Sequence, residues 1–328
     1  MPVHQKVGAV LNKRYQIERI IGQGGYGCIY LAEDLRLAGR KCAVKEVEHD
    51  PTLAADILKE TRDQFMREAT VLARLDHPNL PKVSDFFSIA DADYLVMDYV
   101  PGEDLRTLML KASQAGKFLP EADVLAWANQ LADALIYLHG QEPPILHRDI
   151  KPSNLKLTPH GVIKLVDFGL VKLLAPGEVT ITILQGQGTA MYTPLEQYGG
   201  DSGHTDARTD IYAFGATLYH LLTNQPPVNV RDRFLDPDSL IPPREINPSL
   251  SPRTDRTILW AMALHPDERP KDVQTFIKAL GDDSGIFSQP SKKQAPRSKF
   301  LQPLEMTLLA AAGGLTLIGL ILTLIHSL

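Results

Sequence analysis

Residues 145–170 read ILHRDIKPSNLKLTPHGVIKLVDFGL, and the fold turns on how this stretch is read. After a loop come two short apolar-polar runs on either side of Pro159-His160-Gly161, the pattern of a small β-hairpin. Asp149 and Asn154 stand at its entrance and Asp167 at its exit. Three oxygen-bearing side chains thus converge where a hydroxyl nucleophile and hard divalent cations could meet. Phosphoryl transfer has that requirement, because charge spreads over the transferred oxygens and Mg2+ neutralises it.

Toward the amino terminus, residues 15–21 alternate like a strand and run into Gly22-Gln23-Gly24-Gly25-Tyr26-Gly27, after which residues 28–32 begin another strand. A glycine turn between antiparallel strands brings backbone N–H groups over an anionic ligand. A dinucleotide-binding turn shares the glycine spacing but requires a helix opening at the glycines. Here Ile29 continues a strand and Ala43-Val44-Lys45 lies on the next one. Residues 61–75 place Phe65, Ala69, Leu72 and Leu75 at helical spacing, with one buried face. Glu68 and Glu60 are the acids of that region able to answer Lys45. Residues 83–87 and 94–99 read as strands about a turn at 90–93, and Leu125, Leu131, Leu135 and Leu138 mark a long helix ending near His139.

These motifs resemble the eukaryotic-type bacterial serine/threonine protein kinase family: His147-Arg148-Asp149, Lys151-Pro152-Ser153-Asn154 and Asp167-Phe168-Gly169 stand in the family's order behind its glycine loop and Ala43-Val44-Lys45. The resemblance covers residues 15–280 and implies an α+β bilobal fold. A small antiparallel-sheet lobe (about 15–100) and a larger, mainly helical lobe (about 101–280) follow an amino-terminal extension at 1–14. It implies ATP and Mg2+ as cofactors, with Mn2+ as an alternative, and Ser/Thr hydroxyls of proteins as acceptors.

Residue by residue, it implies that Gly22, Gly24, Gly27, Ile29, Ala43 and Lys45 hold the nucleotide with Met97 as gatekeeper and Asp98 and Val100 in the hinge. Glu68 partners Lys45, Asp149 accepts the hydroxyl proton, Lys151 steadies the phosphate, and Asn154 and Asp167 bind metal. His147 and Phe168 stack with Leu72 between the lobes, and Arg148 receives an activation-segment phosphate. Thr180 and Thr182 are the phosphorylation candidates, against a bland reading as a Thr-rich loop. Thr189 bonds near Asp149 and Lys151. Glu196 pairs with Arg269 where the family's APE has become Pro194-Leu195-Glu196. Asp210 supports the catalytic-loop backbone, although a surface helix cap is the simpler reading of an aspartate there. Lys156 falls where many relatives place an apolar residue beneath adenine; its stem would supply that contact while the ammonium reaches water.

The net charge of −5 leaves no global basic field, so nucleic acid is not an expected partner. Cys28 and Cys42 are the only cysteines, which argues against a disulfide framework and for a reducing compartment. The first residues lack the apolar core of a signal peptide. Residues 281–303 are rich in Gly, Ser, Pro and Gln and read as a flexible linker, with Lys292, Lys293, Arg297 and Lys299 just before an uncharged run at 306–325. That run could span roughly 30 Å; a buried terminal helix is the alternative. A transmembrane helix at 304–325 with a tail at 326–328 leaves no room for an external sensor. The basic flank places the kinase domain on the cytoplasmic face of a bacterial membrane. The expectation is therefore a single-pass, membrane-tethered kinase, with self-association for autophosphorylation. An inactive pseudokinase acting as a membrane-bound scaffold is the alternative, against which Lys45, Asp149 and Asp167 are all present.

Overall fold

The computed structural model describes residues 5–24, 27–49, 54–90, 92–167, 190–198 and 205–281. Its first layer is a six-stranded antiparallel sheet built from β1 (Val10–Leu11), β2 (Tyr15–Gly24), β3 (Gly27–Asp34), β4 (Lys41–Glu48), β5 (Val83–Ile89) and β6 (Ala92–Asp98), in the order β1-β2-β3-β4-β6-β5. The sheet is buried on both faces, which is why β4 reads KCAVKEVE without a clean polar alternation. Ala43 and Val47 join one apolar cluster with Leu95 and Met97, whereas Cys42 and Val44 join a second with Tyr30, Tyr94 and Val96. Residues ahead of β2 help to cover the second face. Leu11 is buried in it, and Gln5 donates from its backbone N to the Tyr30 hydroxyl (3.1 Å) and from Nε2 to the Tyr94 hydroxyl (3.0 Å).

Across the other face lies α1 (Ala55–Arg74), which buries Phe65, Ala69 and Leu72. The helix begins earlier than the apolar spacing indicates, at Ala55 rather than Thr61. Residues 55–60, ADILKE, contain no breaker and extend it at little cost. It stops at Leu75, whose backbone is extended.

The second lobe starts with β7 (Glu103–Asp104), α2 (Leu105–Gln114) and α3 (Glu121–His139), followed by β8 (Leu155–Leu157) and β9 (Ile163–Leu165) in a three-stranded sheet ordered β7-β8-β9. Its centre is α4 (Ala207–Thr223), buried at every position from Thr209 to Thr223. After it come α5 (Val230–Leu235), α6 (Pro243–Ile246), α7 (Pro252–Ala261) and α8 (Val273–Gly281), of which α6, α7 and α8 pack against it. Gly215 permits the closest of these approaches: a Cβ there would stand 2.8 Å from the Ala261 Cβ. Phe214 meets Phe276 edge to face at 5.1 Å, a favoured aromatic geometry.

The connection from α1 to β5 ties the two layers together. Asn79 accepts from Leu165 N (2.8 Å) through its carbonyl and donates from Nδ2 to the Ile163 carbonyl (2.8 Å). Lys164 Nζ donates to the Leu80 carbonyl (3.1 Å), and Asp76 N to the Tyr137 hydroxyl (3.0 Å). Among the described residues no helix is long and apolar enough to cross a membrane; the run at 304–325 and the linker lie outside them.

Phe214 is fully buried and Leu235 is 83% exposed. Phe214→Ala should cost about 3–5 kcal/mol and Leu235→Ala within about 0.5 kcal/mol of nothing. Urea unfolding followed by tryptophan fluorescence checks this; equal losses would contradict the packing.

Candidate active site

The loop between α3 and β8 is held from below by one carboxylate. Asp210, fully buried in the first turn of α4, accepts from His147 N (2.9 Å, Oδ2) and Arg148 N (2.8 Å, Oδ1), and bonds His139 Nε2 at 2.8 Å. It is therefore not a surface cap; that role belongs to Asp206, whose carboxylate accepts from Arg208 N at 2.8 Å. Burial alone would raise the Asp210 pKa, yet the His139 bond, the two imidazoles and the Arg148 N–H hold it below the ordinary carboxylate range. Arg148 takes a left-handed φ of 60°, uncommon for a residue with a side chain, and the Asp210 bonds help to retain it. Burial lowers the Arg148 pKa, opposed by Asp210 and Glu68. Its Nε is buried without a hydrogen-bond partner among the described residues.

That backbone presents Asp149. Its Oδ2 accepts from Lys151 Nζ (2.8 Å) and Asn154 Nδ2 (2.9 Å), and Asn154 Nδ2 also donates to the Asp149 carbonyl (2.8 Å). Asp149 Oδ1 is buried and unpartnered among the described residues, leaving an acceptor uncommitted. With its amide nitrogen spent on Asp149, Asn154 keeps its carbonyl oxygen for other work; Ser153 Oγ reaches it only at 3.5 Å.

Asp167 follows β9 and, like Arg148, has a positive φ, 58°. Lys45 Nζ, carried by β4 opposite Ile29 and Leu95, bonds its Oδ1. The charge of Lys45 is the main reason that the Asp167 pKa is lowered; burial opposes it, while Lys151 and His147 assist. Glu68 is buried on α1 and accepts from Gln64 Nε2 at 3.1 Å. His147 is fully buried, and burial lowers its pKa. Leu72 is buried in the main core, whereas Phe168, Thr180, Thr182 and Thr189 lie outside the described residues.

Above this chemistry β2 ends at Gly24, which pairs with Gly27, and from Gly27 the chain runs on as strand β3. Gly27 has φ 139°, and a Cβ there would fall 2.1 Å from the Glu46 carbonyl oxygen, so only glycine fits. Gly22 pairs with Ile29 across the strands. Met97 is buried opposite Ala43 and Val83. Asp98 closes β6, its N donating to the Lys82 carbonyl (3.0 Å), and Val100 is buried just beyond.

At the far side Arg269 grips Glu196 bidentately, Nη1 to Oε1 at 2.6 Å and Nη2 to Oε2 at 3.1 Å. Arg269 also donates to the carbonyls of Ala263 and Leu264, and Thr209 Oγ1 donates to Glu196. The Tyr192 hydroxyl bonds His220 Nδ1 at 2.6 Å. Sequence reading missed this second anchor and the His139–Asp210 bond, since 28 and 71 residues separate their partners.

Asn154 Oδ1 and the Asp167 carboxylate are the oxygens at the hairpin's entrance and exit that could serve a metal ion. Among the described residues no group of three or more His, Cys, Asp or Glu could hold an ion.

Residues 15–280 match the family described as Protein kinase domain. The serine/threonine-protein kinase PknB of Mycobacterium tuberculosis is 36% identical over 318 residues, 93% of this chain and 47% of that protein. A probable serine/threonine-protein kinase of Clostridium acetobutylicum is 33% identical over 84% of this chain and 41% of its own length. The chain thus spans roughly two-fifths to one-half of these curated relatives. Among solved structures, the kinase domain of Mycobacterium tuberculosis PknI aligns with a TM-score of 0.63 at 31% identity, covering 84% of this chain and 98% of that one.

Burial, aided by Arg106, pushes the His220 pKa down to about 4. The unfolded chain therefore binds a proton that the folded chain refuses, and stability complete above pH ~6.5 falls as pH drops toward ~4. At pH ~5 His220→Gln should escape about 2 kcal/mol of that loss. Denaturant titrations of both forms at pH 7 and pH 5 check it; parallel losses would be the contrary result.

Proposed function

Because the chain belongs to the protein kinase family, we propose that it transfers the γ-phosphate of ATP to Ser or Thr hydroxyls of proteins. One observation carries the reading: Asp149 has one oxygen committed to Lys151 and Asn154 and the other buried and uncommitted. Family membership implies ATP and Mg2+. Ala43 and Ile29 above and the β8 strand below would hold the adenine, with backbone groups of Asp98 and Val100 available to its edge beside the gatekeeper Met97. Gly22, Gly24 and Gly27 bring N–H groups over the phosphates.

Lys45, braced by Glu68, would hold the α and β phosphates, and Asp167 and Asn154 would offer their oxygens to Mg2+. The chemistry supplied by Mg2+ when bound would be neutralisation of charge on the phosphoryl oxygens. Asp149 Oδ1 would accept the hydrogen bond of the acceptor hydroxyl, orient it and take its proton as the oxygen bonds to the γ-phosphorus and the bond from that phosphorus to the β–γ bridging oxygen breaks, the bridging oxygen leaving with ADP. Lys151, already on Asp149 Oδ2, steadies the transferred group from the other side. Arg148, with an uncommitted Nε, receives a phosphate on Thr180 or Thr182. Thr189 bonds near Asp149 and Lys151. His147, Leu72 and Phe168 align the lobes, and Asp210 and the Glu196–Arg269 pair keep the catalytic and acceptor-binding backbones in place.

Residues 15–280 form the kinase domain, 281–303 a basic juxtamembrane linker and 304–325 a single membrane-spanning helix, with the domain in the bacterial cytoplasm. The uncharged run and its basic flank support that topology, and self-association on the lipid surface would favour autophosphorylation.

Asp149→Asn should lower transfer of labelled γ-phosphate to Ser/Thr substrates by about 100-fold or more while sparing ATP-Mg binding. Equal initial rates would sink the role given to Asp149. The full chain should sediment with membranes and resist alkaline carbonate, and a form ending at residue 290 should stay in the supernatant; the reverse distribution would remove the tether.

A further inference from the structure

The three-stranded sheet β7-β8-β9 carries a row of charge on one face. Asp104 pairs with Lys156, and Lys156 with Lys164; directly opposed residues in antiparallel strands share a face. Two observations show where that face looks. Leu155, the preceding residue on β8, is buried in the large-lobe core opposite Leu165, so its neighbour Lys156 points the other way. Lys164 reaches the Leu80 carbonyl, in the connection between α1 and β5, at 3.1 Å. The row therefore faces the small lobe across the cleft.

Lys156 is the unusual member. It is half-buried, and no hydrogen bond or ion pair engages its ammonium among the described residues. Lys164, by contrast, has its carbonyl partner, and Asp104 is fixed by Thr107, whose N and Oγ1 donate to it at 2.9 and 3.0 Å. Burial lowers the Lys156 pKa, with Asp104 opposing and Arg19 of β2 adding to the fall. The expected escape of this ammonium to open water is thus only partial. A cation placed so is stabilised by any ligand that brings an oxygen to it.

The chain order defines what part of a ligand comes there. The base edge is met at residues 98–100 and the phosphates at Lys45 and Asp167. Asp104 lies four residues past Val100, and Lys156 two residues past Asn154. The Lys156 stem then floors the base from β8, and its ammonium, on the same face as its cross-strand neighbour Asp104, falls between base edge and phosphates, beneath the sugar that joins them. A ribose hydroxyl can donate to a carboxylate and accept from an ammonium at once. We propose that Lys156 is a specificity-determining contact for the nucleotide sugar, donating from Nζ to a ribose hydroxyl oxygen beside Asp104. The inference rests on the kinase reading of the cleft and goes beyond it, since a purely apolar floor would supply shape and no sugar discrimination.

The test is calorimetric binding of ATP-Mg, 2′-deoxyATP-Mg and 3′-deoxyATP-Mg to the full chain in detergent, as wild type and as Lys156→Met, which keeps the stem and removes the charge. Lys156→Gln replaces it should the methionine form melt at a lower temperature. In the wild type, loss of the contacted hydroxyl should weaken binding about tenfold; in Lys156→Met, ATP itself should bind about tenfold more weakly and the deoxy penalty should shrink to about twofold or less. An undiminished deoxy penalty in the variant, or ATP binding at least as tight as in wild type, overturns the sugar contact and leaves the kinase reading standing. No binding of any of the three nucleotides by folded wild type overturns the kinase reading, and the sugar contact with it.

Discussion

The buried carboxylate of Asp210 is the constraint on which the site depends. A loop that presents Asp149 to the cleft cannot also satisfy its own backbone through a sheet or helix, and unpaired buried N–H groups are costly. Two of those N–H groups, from His147 and Arg148, are satisfied by Asp210, which α4 carries in its first turn. The same bonds retain Arg148 in a left-handed conformation. The direction in which Asp149 points thus follows from a residue some sixty positions away, and burial of nearly the whole of α4 keeps that residue still.

The second constraint is that two separately built layers must meet with side-chain accuracy. Lys45 belongs to a strand buried on both faces, and Asp167 to the exit of a hairpin packed on the large-lobe helices; their ion pair crosses between them. Asn79, Leu80 and Lys164 stitch the layers on one side, and the chain from β6 to β7 joins them again. A cleft joined along such lines can admit a nucleotide without either layer rearranging its own core.

Much of this was legible in the sequence, for identifiable reasons. Strand-turn-strand at the glycines could be told from a dinucleotide turn because the residues after Gly27 continue in strand order. The hairpin around Pro159-His160-Gly161 declares itself by local turn chemistry. What escaped was non-local or lacked periodicity. Strand β1 is only two residues long and acquires order by pairing with β2. The first turn and a half of α1 has no apolar spacing to betray it. Asp210 is named as the loop's support by the family resemblance alone, since nothing local distinguishes a helix cap from a buried anchor; the difference lies in which backbone folds over it. The Tyr192–His220 contact has no sequence signature at all.

The cleft also shows why charge type cannot be read position by position. Lys45, Lys151 and Lys156 all line it, yet their surroundings separate them. Lys45 is neutralised by Asp167 and Lys151 by Asp149, so each is held by the carboxylate beside which it would work. Lys156 has no such direct partner, only the nearby Asp104, whose oxygens are already engaged by Thr107. Paired cations can be redistributed when an anionic ligand enters, because the pairing energy lost is recovered from the ligand. A half-buried cation without a pair has no such interaction to give up, so the whole of what a ligand oxygen contributes there appears as affinity. The cleft floor therefore adds a polar determinant where shape alone would otherwise operate.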